Sequence, residues 1–546
     1  MKKLLLTFMA VCISAAMFAQ TGDYFVDASR DDDSGAGTSW ATARKTFTQV
    51  NALSNPTSFK NVFVAQGTYT KQFTGSTKRL NFYGGFPAGG GDFSARNWKI
   101  YPTIIDGNYP TNISASTLSF STYPIIFDGF IVQNCYATTS EKGSGIKISN
   151  DGTVSNCIIR GCVSDPSNGN GASAVLLVAS SSKIPKLINC EIYGNYTVST
   201  GMYRTYNGNS VNILDGGTVQ NCKIYNNSNL FTDPNSGNLG GDGAIYIRNN
   251  TVEPLMNDVN VINNVVFNNS AKNCSGIFIS LNQTVDYTTK KINIVNNTFA
   301  NNKAITGNEG FLKVSLSDIA LDAAVNTSPD KININNNIFW GNKDVAVATV
   351  PTASIAKTTF TYNAIEGSIS GLNASNISLS ATNETNVKFT LPSITTGCSI
   401  TKSVIDNLIS ADENSATIQA TNWSISGTSA CVNAGSTAAL TATGITVTTD
   451  FAGNDRIFGT TSIDIGAYET SGTTAVETTK KNEFQLISVA GGIQLDAVSA
   501  QVFNFSGQQI WKGNVKGQFI ALPAGNYIVK ATTANAVQNI GKVSVK

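Results

Sequence analysis

The sequence predicts an all-β solenoid, in which short parallel strands wind into stacked coils. Three observations predict it. The first is a motif that recurs through the middle of the chain: an apolar residue, a spacer, Asn-Cys or Asn-Asn, an apolar pair and a further Asn. Its copies are VSNCIIRGC around Asn156, LINCEIYGN around Asn189, VQNCKIYNN around Asn221, VINNVVFNN around Asn263, IVNNTFANN around Asn296 and INNNIFWGN around Asn336, with an earlier IVQNC at Asn134. The second is a Gly-led strand that alternates with the first motif without a miss. Its apolar positions are Ile146 and Ile148, Val175, Val211 and Ile213, Ile245 and Ile247, Ile277 and Ile279, and Leu312 and Val314. The steps between copies are roughly 30 to 35 residues, the period of a solenoid whose strands are stable only when buried against the next coil. The third is composition. Charged residues make up 13% of the 546, with 48 Gly against 13 Pro, so turns rely on Gly, Asn and Asp.

Taken from the N-terminus, the chain opens on Met1-Lys2-Lys3, an apolar run over 4–18 and a small residue at Ala19. This is the layout of a secretory signal peptide over residues 1–19. Cys12 lies inside the apolar run, too early for a lipid-anchored first residue. No later run reaches the 18 or more apolar residues of a membrane helix. Residues 20–100 are expected to form an N-terminal cap and the first coils. Ser39 is placed to N-cap a short helix that buries Trp40, Phe47, Val50 and Leu53, covering the core that an end coil exposes. The strands NVFVAQGTY and LNFYGGF follow.

Residues 101–470 carry the coils. A sharp corner between strands leaves backbone groups unpaired inside the stack. An inward Asn bonds them and the Asn above it, and Asn also tolerates the left-handed backbone of such corners. The repeated Asn is therefore expected to form an internal ladder. The next position would form a second column, with Cys135, Cys157, Cys190 and Cys222 stacked along the axis. Stacked coils lie about 4.8 Å apart, within the Cα range of a disulfide, but parallel side chains suit a bridge poorly, so these are read as small buried thiols.

This pattern resembles the right-handed parallel β-helix of the pectin-lyase-like superfamily, with three strands per coil and an internal Asn ladder. The resemblance covers about residues 22–469 and speaks for architecture, because that fold hosts lyases, hydrolases, adhesins and inert fibres. The segment from Asp23-Tyr24-Phe25-Val26-Asp27 to Ala43 resembles the opening of exported bacterial β-helix proteins. SACVNAGS, DFAGNDRIFG and IDIGAYE resemble the terminal coil of such proteins from Bacteroidota-type bacteria, which makes Asp464 and Glu469 structural rather than a catalytic pair. Residues 471–482, SGTTAVETTKKN, read as a linker. In residues 483–546, VFNFSGQQI, LPAGNYIVK and KVSVK resemble the C-terminal sorting domain of type IX secretion cargo, a small β-sandwich. That implies outer-membrane secretion machinery as a partner and an extracellular or outer-membrane-surface location. An accessory sandwich that stays on the protein is the alternative. The fold class is thus all-β: a right-handed parallel β-helix solenoid with a small C-terminal β-sandwich.

Function classes narrow by subtraction. The chain has no His, which removes His-dependent triads, Cys-His pairs and His metal sites. A formal charge of +2 gives no argument for nucleic acid. Outward residues of equivalent strands line up in rows. The Gly-led strands supply Lys147, Asn212, Tyr246, Phe278 and Lys313, and beside them Ser149, Arg248, Ser280 and Ser315. Aromatic faces next to cations suit a sugar chain bearing carboxylates or sulfates. The expected binding set is Lys147, Asn212, Tyr246, Arg248, Phe278 and Lys313, in a groove for an acidic polysaccharide or cell-surface glycan. The bland alternative is strand surface with no ligand.

An enzyme on the same face would be a polysaccharide lyase or a glycoside hydrolase. A lyase would use Arg248 or Lys313 as base and Asp242 or Asp215 nearby to hold Ca²⁺. No tight Asp cluster appears on the outward rows. A hydrolase needs two carboxylates about 5–9.5 Å apart, and the groove strands carry no such pair, so active carboxylates would have to come from the turns at 228–242 or 281–290. Arg30-Asp31-Asp32-Asp33 matches no EF-hand spacing and reads as an exposed acidic loop rather than a Ca²⁺ site. The distance from groove strand to Asn corner grows from 10 residues (Ile146 to Asn156) to 24 (Leu312 to Asn336), and long loops beside a solenoid face are commonly binding elements. The expected function is a glycan-binding or adhesin-like surface protein without catalysis. The alternatives are the lyase or hydrolase, and a purely structural surface protein.

Overall fold

The computed structural model describes residues 22–70, 73–111, 118–137, 143–164, 174–197, 210–228, 231–232, 239–240, 243–249, 257–271, 275–281, 290–304, 312–316, 332–342, 358–367, 372–392, 421–442, 444, 447–457, 463–470, 486–489, 492–495, 497–504, 508–515, 519–532 and 538–545. The signal-peptide and linker readings, Cys274, Cys398 and Asp242 lie outside the described residues. The chain divides into two compact units, Met1–Gly472 and Thr473–Lys546.

The first unit is a parallel β-helix. Successive coils contribute strands to three long sheets. The first sheet has eleven parallel strands from Tyr24–Val26 to Thr359–Thr361, and the second eleven from Gly67–Thr70 to Ile377–Leu379. The third has seven, from Leu118–Phe120 to Leu312–Leu316. Short strands such as Val163–Ser164 make a fourth edge. The predicted register of the Gly-led strands holds throughout: Ile146 pairs with Val175, Val211 with Ile245, and Ile277 with Leu312. One apolar core runs up the axis from Val26 to Ile365, because alternate strand residues point inward and meet their equivalents one coil away.

The corners hold the surprise. Asn156, Asn189, Asn221, Asn263, Asn296 and Asn336 all adopt the left-handed conformation, with φ between 52° and 62°. This is the conformation Asn adopts more readily than most non-glycine residues. Their side chains bond outside the core: Asn156 Nδ2 donates to Asp128 and Asn336 Nδ2 to the Ser436 carbonyl. The internal ladder is the next residue along. Asn264, Asn297, Asn337, Asn363 and Asn376 stack, each N–H donating to the Oδ1 of the residue above, at 2.9–3.0 Å. Each Nδ2 reaches back to a strand carbonyl of the coil below, as Asn264 does to Val219 and Asn297 to Val261. The sequence reading thus placed the ladder one residue too early, on the residue that makes the bend rather than the one that the bend aims inward.

There are also two ladders, not one. Five residues after the first corner a second corner follows, where Asn195, Asn227, Asn269, Asn302 and Asn342 repeat the same bonds. Cys135 belongs to this second column with Cys162, whereas Cys157, Cys190 and Cys222 continue the first. The cause is register: Ile131–Gln133 pairs with Ile158–Arg160, which puts Cys135 level with Cys162. The thiols take the amide's place. Cys157 Sγ lies 3.7 Å from the Phe127 carbonyl and Cys222 Sγ 3.5 Å from that of Leu187, the positions equivalent to Val219 below Asn264. Cys135, Cys157, Cys162, Cys190, Cys222 and Cys431 are free and buried. Burial pushes the thiols of Cys157, Cys162 and Cys190 well up, so they remain neutral.

At the N-terminal end the expected helix is two short pieces. Ser39 Oγ caps the turn Trp40–Thr42, and Thr48–Ala52 follows. Phe47 and Val50 close the core, while Trp40 packs on Phe25 and Phe86. Asp31 and Asp32 are exposed, and Asp33 accepts from the Thr46 backbone and hydroxyl. At the other end the chain does not finish as a terminal coil. After Ile377–Leu379 it makes an antiparallel pair, Phe389–Leu391 with Asn422–Ile425, and then runs back along the outside of earlier coils. Leu440, Val447 and Ile463 cover Ile262 and Val295. Phe389, Trp423 and Ile465 cover Tyr225, Phe267 and Trp340. The second unit has two antiparallel sheets. One holds Leu486–Val489, Gly492–Leu495 and Phe519–Ala521. The other holds Ser499–Asn504, Gln509–Asn514, Gly525–Thr532 and Gln538–Val545. Both contribute to one core that includes Ile493, Ile520, Val502 and Val529.

Asn297→Ala should cost roughly 2–6 kcal/mol, since it orphans the Asn264 N–H and the Val261 carbonyl at ~1–3 kcal/mol each. Cys190→Ala should cost only about 1 kcal/mol of lost apolar burial. Urea denaturation checks the order, and a larger loss at Cys190 would contradict the ladder.

Candidate functional site

The predicted row exists in register. Along the seven-stranded sheet Lys147 pairs with Leu176, Leu176 with Asn212, Asn212 with Tyr246, Tyr246 with Phe278 and Phe278 with Lys313. Beside it run Ser149, Val178, Leu214, Arg248, Ser280 and Ser315. Strands fix these positions rigidly, because the coil-to-coil ladder leaves no freedom to slip when one face is core. The Tyr246 and Phe278 rings stack at 5.1 Å and 10°.

Side chains along the row are largely enclosed. Tyr246 is 2% exposed, Phe278 3%, Arg248 7% and Asn212 0%. Leu176, Leu214 and Val178 form their own small cluster on this outer side. Lys147 is half-buried. Leu312–Leu316 is described as a strand, so Lys313 is placed by register only. Sequence alone gives outward direction from alternation, but not whether the connecting segments lie over the strand.

Asn212 stands apart within this enclosed strip. Both its Oδ1 and its Nδ2 are buried without a hydrogen-bond partner. Its neighbours in the row are Leu176 on one coil and Tyr246 on the next. A buried amide left unpaired costs about 1–3 kcal/mol, and each such group in a folded protein calls for an explanation. Since the rings stack along the axis, the second face of Tyr246 is turned toward the coil of Asn212.

The enzyme candidates gain no cluster. Asp242 lies outside the described residues. Asp215 sits at the turn after its strand, its N–H bonded to the Arg248 carbonyl. Among the described residues no group of three or more Cys, Asp and Glu is placed to hold a metal ion. Asp464 and Glu469 belong instead to the returning segment. Asp464 accepts from the Asn433 and Thr470 N–H groups, Asp450 from Asn454 and Glu469, and Glu469 from the Asp464 N–H. Arg456, fully buried, donates to the carbonyls of Asp464 and Gly466 and lies 3.3 Å from Glu469. This charged knot sets the backbone that caps the corners. Asn263 donates to the Thr449 carbonyl, Asn296 to that of Asp464, and the Gly466 N–H returns to Asn336.

A second outward face went unnoticed in the sequence. On the second eleven-stranded sheet Asp106, Gln133, Arg160 and Tyr193 occupy one row on adjacent coils. Gln133 Nε2 donates to Asp106 at 2.8 Å, and Arg160 donates to Gln133 at 2.9 Å and to the Tyr193 hydroxyl at 3.1 Å. Its residues sit in the spacers of the Asn motif, where no sequence signal separates them from ordinary surface. Neither a protein-family model nor a curated protein matches the chain.

Burial, helped by Asp464 and Asp450, pushes the Glu469 carboxyl up to about 8 against the pull of Arg456. The folded state therefore holds a proton that the unfolded chain releases near its ordinary value of about 4.3, so stability falls as pH rises from there to about 8. Thermal melts across that range should decline, and Glu469→Gln should flatten the decline. An unchanged slope in the Gln variant would contradict the assignment.

Proposed function

We propose that this chain is an exported surface protein that binds polysaccharide on the seven-stranded face of its β-helix and performs no chemistry on it. Asn212 is the observation that carries this reading. Asn212 is 0% exposed, so this reading requires the enclosed row to open on binding; its unpaired amide then matches a donor and an acceptor offered together, as neighbouring sugar hydroxyls do. The stacked Tyr246 and Phe278 beside it supply the apolar ring contact that sugars use. Arg248, and Lys313 by register, supply positive charge suited to carboxylate or sulfate substituents. The rows on this face carry no carboxylate pair to act as acid and base.

The apolar run at 4–18 supports export. The strand pattern and the sandwich of the second unit support its reading as a type IX sorting domain, which would carry the protein across an outer membrane and attach or release it there. Among the described residues no helix is long and apolar enough to cross a membrane.

Affinity electrophoresis against acidic and neutral polysaccharides, with uronide absorbance and reducing ends followed in parallel, tests the reading. Retardation by acidic chains without cleavage is expected. Tyr246→Ala and Arg248→Ala should each weaken it about tenfold, ~1.4 kcal/mol. Asn212→Leu should raise the melting temperature, by removing an unpaired amide, and abolish retardation. Unchanged retardation in Asn212→Leu would overturn the site, and new double bonds or reducing ends would overturn the absence of catalysis.

A further inference from the structure

The open part of the second eleven-stranded sheet has a symmetry of its own. Its outward residues form two parallel rows on five successive coils. One row reads Thr70, Asp106, Gln133, Arg160, Tyr193 and the other Thr68, Ile104, Ile131, Ile158, Glu191. At the far end Tyr193, 5% exposed, already packs with Tyr225, Phe267 and Trp340 under the returning segment, and Ile158 rests against that cluster, so the open strip ends at the coil of Arg160. Asp106, Gln133 and Arg160 are half-buried, as are Ile104 and Ile158, and Ile131 is 9% exposed.

Read outward from the strand Ile131–Gln133, the strip is complementary to itself. One coil below stands the carboxylate of Asp106 and one coil above the guanidinium of Arg160. The amide of Gln133, donor and acceptor in one group, stands at the centre. In the other row Ile131 is central, with Ile104 and Ile158 on either side.

We propose that this face is the interface of an antiparallel homodimer whose two-fold axis lies along the strand Ile131–Gln133. Such an axis reverses the solenoid axis and keeps each row facing its own copy. Asp106 then meets Arg160 of the second copy twice over, Gln133 meets Gln133, and Ile104 meets Ile158 around a central Ile131 pair. This is the isologous pattern in which one residue contacts another and is contacted by it in return. The centre is apolar and the charges lie beside it, as in protein interfaces generally. The polar row is already held in place by its own bonds from Asp106 to Tyr193, so docking freezes few side chains. A glycan along this strip would gain nothing from the mirror order of charge, which a second copy uses in full.

Sedimentation velocity over a concentration series of the full chain tests it. A concentration-dependent dimer is expected. Arg160→Asp and Asp106→Arg should each be monomeric, because like charges then meet in both contacts. Mixed together, these two variants should form the heterodimer, and Asp106→Arg/Arg160→Asp in one chain should restore the homodimer. Ile131→Asp should be monomeric, with melting curves confirming that each variant is folded. A wild-type monomer at the highest soluble concentration, or a dimer unaffected by Arg160→Asp, would overturn the proposal. If Asp106→Arg fails to fold, Arg160→Asp and Ile131→Asp still decide it.

Discussion

The structure depends on one interaction: an inward amide at the corners of the later coils that bonds the coil below and the coil above at once. A corner turns the backbone sharply and would leave its N–H and C=O groups facing a dry core, where each unpaired group is costly. Asn297 answers this by accepting from the Asn264 N–H and donating to the Val261 carbonyl below, and donating to Asn337 Oδ1 above. Because each link needs the next, the bonds form a continuous column and fix the coils in register. Every outward row is a consequence of that register, including the two rows on which function is argued.

The bend and the ladder are separate jobs done by adjacent residues. The left-handed residue makes the turn and leaves its side chain outside. There it is useful again, since the later corners donate to the carbonyls of the returning segment at Thr449, Asp464 and Ser436. The knot of Arg456 with Asp450, Asp464 and Glu469 shapes that segment from within. One residue type thus serves the axis through one position and the flank through its neighbour. Cysteine replaces Asn at the ladder position in the earlier coils, where its thiol keeps the carbonyl contact and forgoes the amide's acceptor.

Much of this was legible in the sequence. The alternating apolar residues gave the strands and their register, since a slip by one residue would turn Ile245 and Ile277 outward. The Asn repeats marked the corners. What the sequence did not show was direction at the bend: Asn263 and Asn264 are both Asn, and only the backbone conformation says which faces inward. The pairing of Cys135 with Cys162 was hidden because the first copy of the motif shows only its second corner. The enclosure of Tyr246 was hidden because alternation distinguishes inward from outward and says nothing of what lies over the outside. The row from Asp106 to Tyr193 carries no motif at all, since its members are brought together by coils about 30 residues apart.

Hydrogen exchange resolved to single amides tests the ladder most directly. The N–H groups of Asn264, Asn297 and Asn337 sit at corners, where ordinary turns exchange quickly. If they donate to stacked Asn side chains, they will exchange as slowly as the strand amides of Val261 and Ile294. Exchange at the rate of exposed turns would show that the corners are not held by the ladder, and the register argued from it would lose its foundation.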